Sequence, residues 1–294
     1  MSGAPKLSRQ YVKLCELEDF EDPALREALL EVAGEVPPER QRHRKYWEYA
    51  MLALYLREVG VLGDACEVLG VAAGHEEVLY WLTNHAGRVV ASDIYGEGGF
   101  AGREAHADML ADPSAFAPYP YRSERLEVQR ADARALDFAD ASFDVVYSLS
   151  SIEHFGGPRE IAAAAREMAR VLRPGGQLVL ATECFLGRHP FDIAVAQYAA
   201  RLLSGGRVCA TATPRHRVTE VFTPGELQRR VVAPTELALV QPLSLRVSPR
   251  TLENIITFGA DGSLTPATGN DYPHIALRSR GAPWTSAFLA FHKE

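Results

Sequence analysis

Asp93 closes the apolar run RVVASDIY, 19 residues after Gly74. A carboxylate at a strand end about 20 residues beyond a turn glycine reaches both hydroxyls of an adenosine ribose and accepts from each. Further on, QRADARAL carries Asp132 and Ala133, with Asp137 or Asp140 as competitors if the register slips. SSIEHFGG carries Glu153 and His154. An imidazole titrates near ~6.5, so His154 suits removal of a hydroxyl proton at neutral pH. Glu153 is a candidate to orient it, although adjacent residues on a helical turn point in different directions. The plainer role for both is to stabilise the loop. Glu183 ends another apolar run, and His189 and Asp192 follow it. Their spacing fits no metal-ligand template, so no metal is expected.

These residues need elements to hold them. EVLGVAAGHEEVLYWL, from Glu67, reads as a buried strand, a tight turn and a helix. RVVASDIY, RLEVQRADA, SFDVVYSLS and QLVLATE read as four more strands. PREIAAAAREMARVL is a helix with Pro158 in its first turn and an apolar stripe of Ile161, Ala165, Met168 and Leu172. Repeated alternation of strand and helix predicts an α/β fold, a doubly wound, mostly parallel sheet with helices on both faces. Near the end, TPGEL starts a short helix, and LALVQPLSL and WTSAFLAFHK read as strands with no helix between them. A last strand reached that way enters antiparallel. The first 60 residues read as two helices, from Pro23 and from about Lys45, with no strand.

The chain has 294 residues, 47% of them hydrophobic and 23% charged, with a mean hydropathy of -0.11. That composition buries a sizeable core. A net charge of -7 argues against a nucleic-acid partner, and the basic cluster ERQRHRK, Glu39 to Lys45, reads as a solvated face. Four scattered cysteines form no CxxC pair, which suits a reducing, cytoplasmic setting. No apolar run approaches the ~20 residues a membrane helix needs, so no membrane contact is expected. Homodimerisation is left open.

The order EVLGVAAGHE, VVASDIY, QRADARAL, FDVVYSLSSIEHF, LRPGGQLVLATE and VFTPGEL resembles the class I S-adenosylmethionine-dependent methyltransferases, from about Ala65 to Glu294. The resemblance implies a Rossmann-like sheet of seven strands with an antiparallel last one. Residues 1–60 then make a helical cap, and residues 61–294 bind S-adenosylmethionine. Acceptor-site insertions fall near 96–123, 184–221 and 245–279. In the family the first strand ends in an acid followed by a GxGxG turn. Here the acidic position is Gly70, the glycine positions are Ala72, Gly74 and Glu76, and only the middle glycine is kept. Glu76 is a candidate to engage the donor's ammonium in place of the missing acid; otherwise it complements the dipole of the following helix. Asp93 and Ile94 fall at the ribose, Asp132 and Ala133 at the adenine, and Ser148 and Leu149 under the methionine end.

Methyl transfer needs mainly alignment and exclusion of water, with a base only where the acceptor proton must leave. The expected acceptor is a hydroxyl on a small molecule such as a secondary metabolite or sugar, with His154 as base. Nitrogen or carboxylate transfer, and a donor-binding partner without turnover, are the alternatives. The fold alone also allows a nicotinamide enzyme, but that predicts a fuller GxGxxG and a separate catalytic pair. Tyr46, Trp47 or Tyr49 of KYWEY, together with Glu183, His189 and His274, are candidates for the acceptor pocket, with Tyr272 near the last of these.

Overall fold

The segment Val68–Val71 is buried throughout, as a strand with helices on both sides must be. The computed structural model describes residues 6–36, 41–186, 202–203, 221–259, 263–266, 273–278 and 283–294. It begins with strand β1 (Lys13–Leu14) and helices α1 (Pro23–Ala33) and α2 (Arg44–Val59). Alternation follows: β2 (Gly63–Val71), α3 (Glu77–His85), β3 (Ala86–Asp93), β4 (Leu126–Arg130), β5 (Phe143–Leu149), α4 (Pro158–Val171) and β6 (Leu172–Phe185). The C-terminal part adds α5 (Pro224–Leu227), β7 (Ala238–Leu239), α6 (Pro249–Glu253), β8 (Ile255–Phe258), β9 (Leu264–Thr265), β10 (Ala276–Arg278) and β11 (Trp284–His292).

The sheet order is β4-β3-β2-β5-β6-β11-β10-β8-β9, with β1 and β7 also on β11. Strands β2 to β6 are parallel. The chain moves outward from β2 to β4, then restarts at β5 on the other side of β2. That reversal opens a crevice at the carboxyl ends of β2 and β5, where ligands of such sheets bind. β11 runs antiparallel to β6, from Trp284 opposite Phe185 to His292 opposite Gln177. Seven strands, β2 to β7 and β11, make the expected sheet, and four short ones extend it.

Two expectations need correction. The N-terminal segment is not purely helical, because β1 pairs with Ala287 and Phe288 of β11. β11 is buried along its whole length, and an unpaired buried edge is costly, so β10, β1 and β7 cover it in turn. A helix, α6, also lies between the last two predicted strands, and LALVQPLSL yields only the two residues of β7. Thr223 caps α5 in a reciprocal box with Glu226, as its sequence suggests. Helix α2 packs against β11 through Trp47 and Phe288, whose rings meet edge-to-face at 6.2 Å. Among the described residues, no helix is long and apolar enough to cross a membrane.

Candidate active site

At the end of β2 the chain turns through Ala72 and Gly74, both at positive φ (51° and 49°). Asp93, at the end of β3, holds this turn. Its Oδ2 accepts from the Gly74 amide at 3.0 Å and its Oδ1 from the Ile94 amide at 2.7 Å. Burial raises the Asp93 carboxyl above its ordinary range, and these two donors oppose the shift. The Tyr95 hydroxyl donates to the Gly74 carbonyl at 2.7 Å. A Cβ at Gly74 would lie 2.4 Å from the Glu104 carbonyl oxygen, so the segment after β3 itself demands the glycine.

The missing acid has a steric cause. A Cβ at Gly70 would lie 2.8 Å from the Tyr147 hydroxyl oxygen and 2.9 Å from the Ala73 Cβ. Tyr147 of β5 fills the space that an acidic side chain at position 70 would need.

The amino end of α2 lies across the strand ends and brings charge with it. Arg44 Nη2 donates to Glu183 Oε1 at 2.7 Å, and Nη1 lies within 3.3 Å of Glu48 Oε1, Ser150 Oγ and Ser286 Oγ. Lys45 Nζ donates to Glu76 Oε1 at 2.5 Å and to the Leu149 carbonyl at 2.9 Å. Glu48 Oε1 also accepts from the Ser150 and Ser286 hydroxyls. Glu153 is fully buried beneath this layer and accepts from Thr182 Oγ1 at 2.7 Å. Four buried carboxylates, Glu48, Glu76, Glu153 and Glu183, thus face two cations. Burial pushes Glu76 up to about 7 against the pull of Lys45, and pushes Glu153 up to about 7 as well. ERQRHRK is therefore not a solvated face at its end: Arg44 and Lys45 turn inward.

The predicted site residues divide. Gly70, Ala72, Gly74, Glu76, Asp93, Ser148, Leu149 and Glu183 gather at the strand ends. Ser148 and Leu149 are buried, and Ser148 Oγ has no hydrogen-bond partner among the described residues. Asp132 instead makes a bidentate surface pair with Arg134, at 2.6 Å for its shortest contact, while Ala133 beside it is buried. Ile94 exposes its side chain. Trp47 does not line a pocket: it is fully buried, donates from Nε1 to Asp19 at 2.8 Å and packs on β11. Tyr46 is buried, with its hydroxyl 3.2 Å from Glu77 Oε1. Glu153 does not orient His154; it points inward to Thr182, while His154 is exposed with its ring 4.9 Å from Phe100. His274 stacks on His43 at 4.2 Å, and burial together with Arg44 pushes it down to about 4, so it stays neutral. His189, Asp192 and Tyr272 lie outside the described residues.

Arg44, Lys45 and Glu48 were missed. Their signal is a glutamate inside KYWEYAMLALY, an otherwise apolar helix, with arginine four residues before it. A charge in such a helix is kept only where a partner meets it.

Residues 69–180 match a family model described as a methyltransferase domain. That segment spans the turn after β2, Asp93, the end of β5 and most of β6. Residues 69–180 are thus a methyltransferase domain. Over 74 residues (25% of the chain) the sequence is 39% identical to the O-methyltransferase resE of Aspergillus sclerotiorum, covering 27% of that protein. Another 59-residue match (20% of the chain) is 44% identical to probable tRNA methyltransferase 9B of Bos taurus, covering 13% of it. The chain thus aligns with less than a third of the length of either relative. The fold superposes on geranyl diphosphate methyltransferase in complex with SAM, with a TM-score of 0.51 at 12% identity over 96% of this chain and 97% of that one. The methyltransferase domain and the α2 charges meet at one edge of the sheet.

Proposed function

We propose that this chain transfers a methyl group from S-adenosylmethionine to a hydroxyl of a small molecule. The observation that carries the reading is the Asp93–Gly74 contact at the crevice, inside the segment that matches a methyltransferase domain. A carboxylate oxygen has two lone pairs, so Asp93 can keep both backbone donors and still accept from two ribose hydroxyls. S-adenosylmethionine supplies a methyl already activated on a sulfonium, so the chain's task is alignment and exclusion of water. Ser148 and Leu149 form the floor under the methionine end. His154, exposed just beyond β5, takes the acceptor proton as the new bond forms.

An acceptor rich in phosphate fits poorly. Two cations against four carboxylates, of which Glu76 and Glu153 are held up to about 7, leave no positive surplus to hold a polyanion, and the chain as a whole carries -7. The same carboxylates support a second reading, an amine acceptor. Incubating the protein with S-adenosylmethionine and a metabolite extract, and measuring S-adenosylhomocysteine formed, tests transfer. Mass spectrometry of the product separates oxygen from nitrogen, and thermal shift with S-adenosylhomocysteine against NAD tests the donor. No S-adenosylhomocysteine formation with any fraction, together with a shift by NAD alone, contradicts the proposal. Loss of turnover in His154→Ala at unchanged donor affinity supports the base; retained turnover removes it.

A further inference from the structure

We propose that Lys45 and Glu76 form a charge-matched clamp for the amino-acid end of the donor, Lys45 taking its α-carboxylate and Glu76 its α-ammonium. The clamp rests on the donor reading above and deepens it. Lys45 Nζ spends two of its three hydrogens, on Glu76 Oε1 and on the Leu149 carbonyl. The third has no hydrogen-bond acceptor among the described residues; Glu48 Oε2 stands off at 3.6 Å and holds the ammonium by charge alone. Glu76 uses only one oxygen. Its Oε2 is buried with no hydrogen-bond partner, in a residue 9% exposed. A buried carboxylate oxygen left without a donor is costly, and a ligand ammonium would satisfy it.

The placement fits the ligand. Glu76 stands just before α3, two residues past Gly74, and Leu149 closes β5, so the pair spans the reversal point of the sheet. A nucleoside with its ribose on Asp93 then directs its amino-acid end toward β5 and Lys45. That end carries one positive and one negative charge, and the clamp offers one of each, so docking buries no net charge. The clamp also answers the loss of the acid at position 70, which Tyr147 excludes: the carboxylate is supplied six residues later and held by a lysine from α2.

Calorimetric titration of S-adenosylhomocysteine, its decarboxylated analogue and 5′-methylthioadenosine into the full chain and its variants tests this. The unmodified protein should bind S-adenosylhomocysteine about 10- to 100-fold tighter than the decarboxylated analogue, the effect of one charge-assisted contact. Lys45→Met should erase that difference while leaving affinity for 5′-methylthioadenosine, which lacks the amino-acid end, unchanged; Lys45→Arg should restore part of it. Binding of 5′-methylthioadenosine also reports that each variant is folded, and Lys45→Gln replaces Lys45→Met if the latter does not fold. The clamp is overturned if Lys45→Met keeps the difference, weakens all three ligands equally, or binds S-adenosylhomocysteine more tightly, as it would if the lysine merely occupied the ammonium's place. If the unmodified protein binds none of the three, the donor reading falls and takes the clamp with it.

Discussion

The Gly74 amide donates to Asp93 Oδ2 at 3.0 Å, tying the turn after β2 to the end of β3. One carboxylate therefore shapes the turn and faces the proposed ribose site. Asp93→Asn leaves one backbone donor without a charged acceptor and weakens the ribose contact. We expect a fall in S-adenosylhomocysteine affinity of about 10- to 100-fold, the equivalent of one or two charge-assisted hydrogen bonds, with a lower melting temperature. Calorimetry and thermal unfolding read the two effects, and unchanged affinity would separate Asp93 from the ligand.

Gly74→Ala should destabilise the fold by about 1–3 kcal/mol, because positive φ and the approach of Glu104 both penalise a Cβ. Denaturant titration measures it. A neutral result would mean that the segment around Glu104 does not rest on the turn.

Much of this arrangement is legible in the chain. Runs such as VVASD end where a parallel strand must end, so Asp93, Leu149 and Glu183 are brought to one edge by sheet geometry alone. Thr223, Pro224 and Glu226 announce α5 by the chemistry of capping. What is not legible depends on contacts distant in sequence. Arg44 meets Glu183 139 residues away, and ERQRHRK by itself does not separate that inward arginine from a solvated one; the local signal, Glu48, lies outside the cluster. Trp47 sits in a helix with aromatics on several faces, and only packing against Phe288 decides that it points to the core. β1 is two residues long, too short for a periodic pattern, and exists because the buried edge of β11 needs a partner.

Removing the Arg44 guanidinium tests the buried network. Arg44→Met leaves Glu183 and Glu48 without their strongest partner and should cost about 3–5 kcal/mol of stability, as breaking a buried ion pair does. Adding Glu183→Gln should recover part of the loss, measured by denaturant unfolding. Additive losses would show that the two side chains do not act together.

Glu76 should give donor binding a pH dependence. Burial, Glu48 and Glu77 hold its carboxyl up at about 7 while Lys45 pulls it down. A ligand ammonium binds the ionised form, so affinity for S-adenosylhomocysteine should rise between about pH 6 and pH 8 and then level off. The stability effect has the opposite sign. The folded chain retains a proton that the unfolded chain, near 4.5, has already released, so this group's contribution to stability declines as pH rises from 4.5 towards 7. Glu76→Gln should flatten the binding profile. Calorimetry across pH checks it, and an equally steep profile in the variant would place the titration elsewhere.

A crystal structure of the chain with S-adenosylhomocysteine tests the central claim most directly. The account predicts the nucleoside in the crevice between β2 and β5, with both ribose hydroxyls within hydrogen-bond distance of the Asp93 carboxylate. A nucleoside bound away from Asp93 would contradict it.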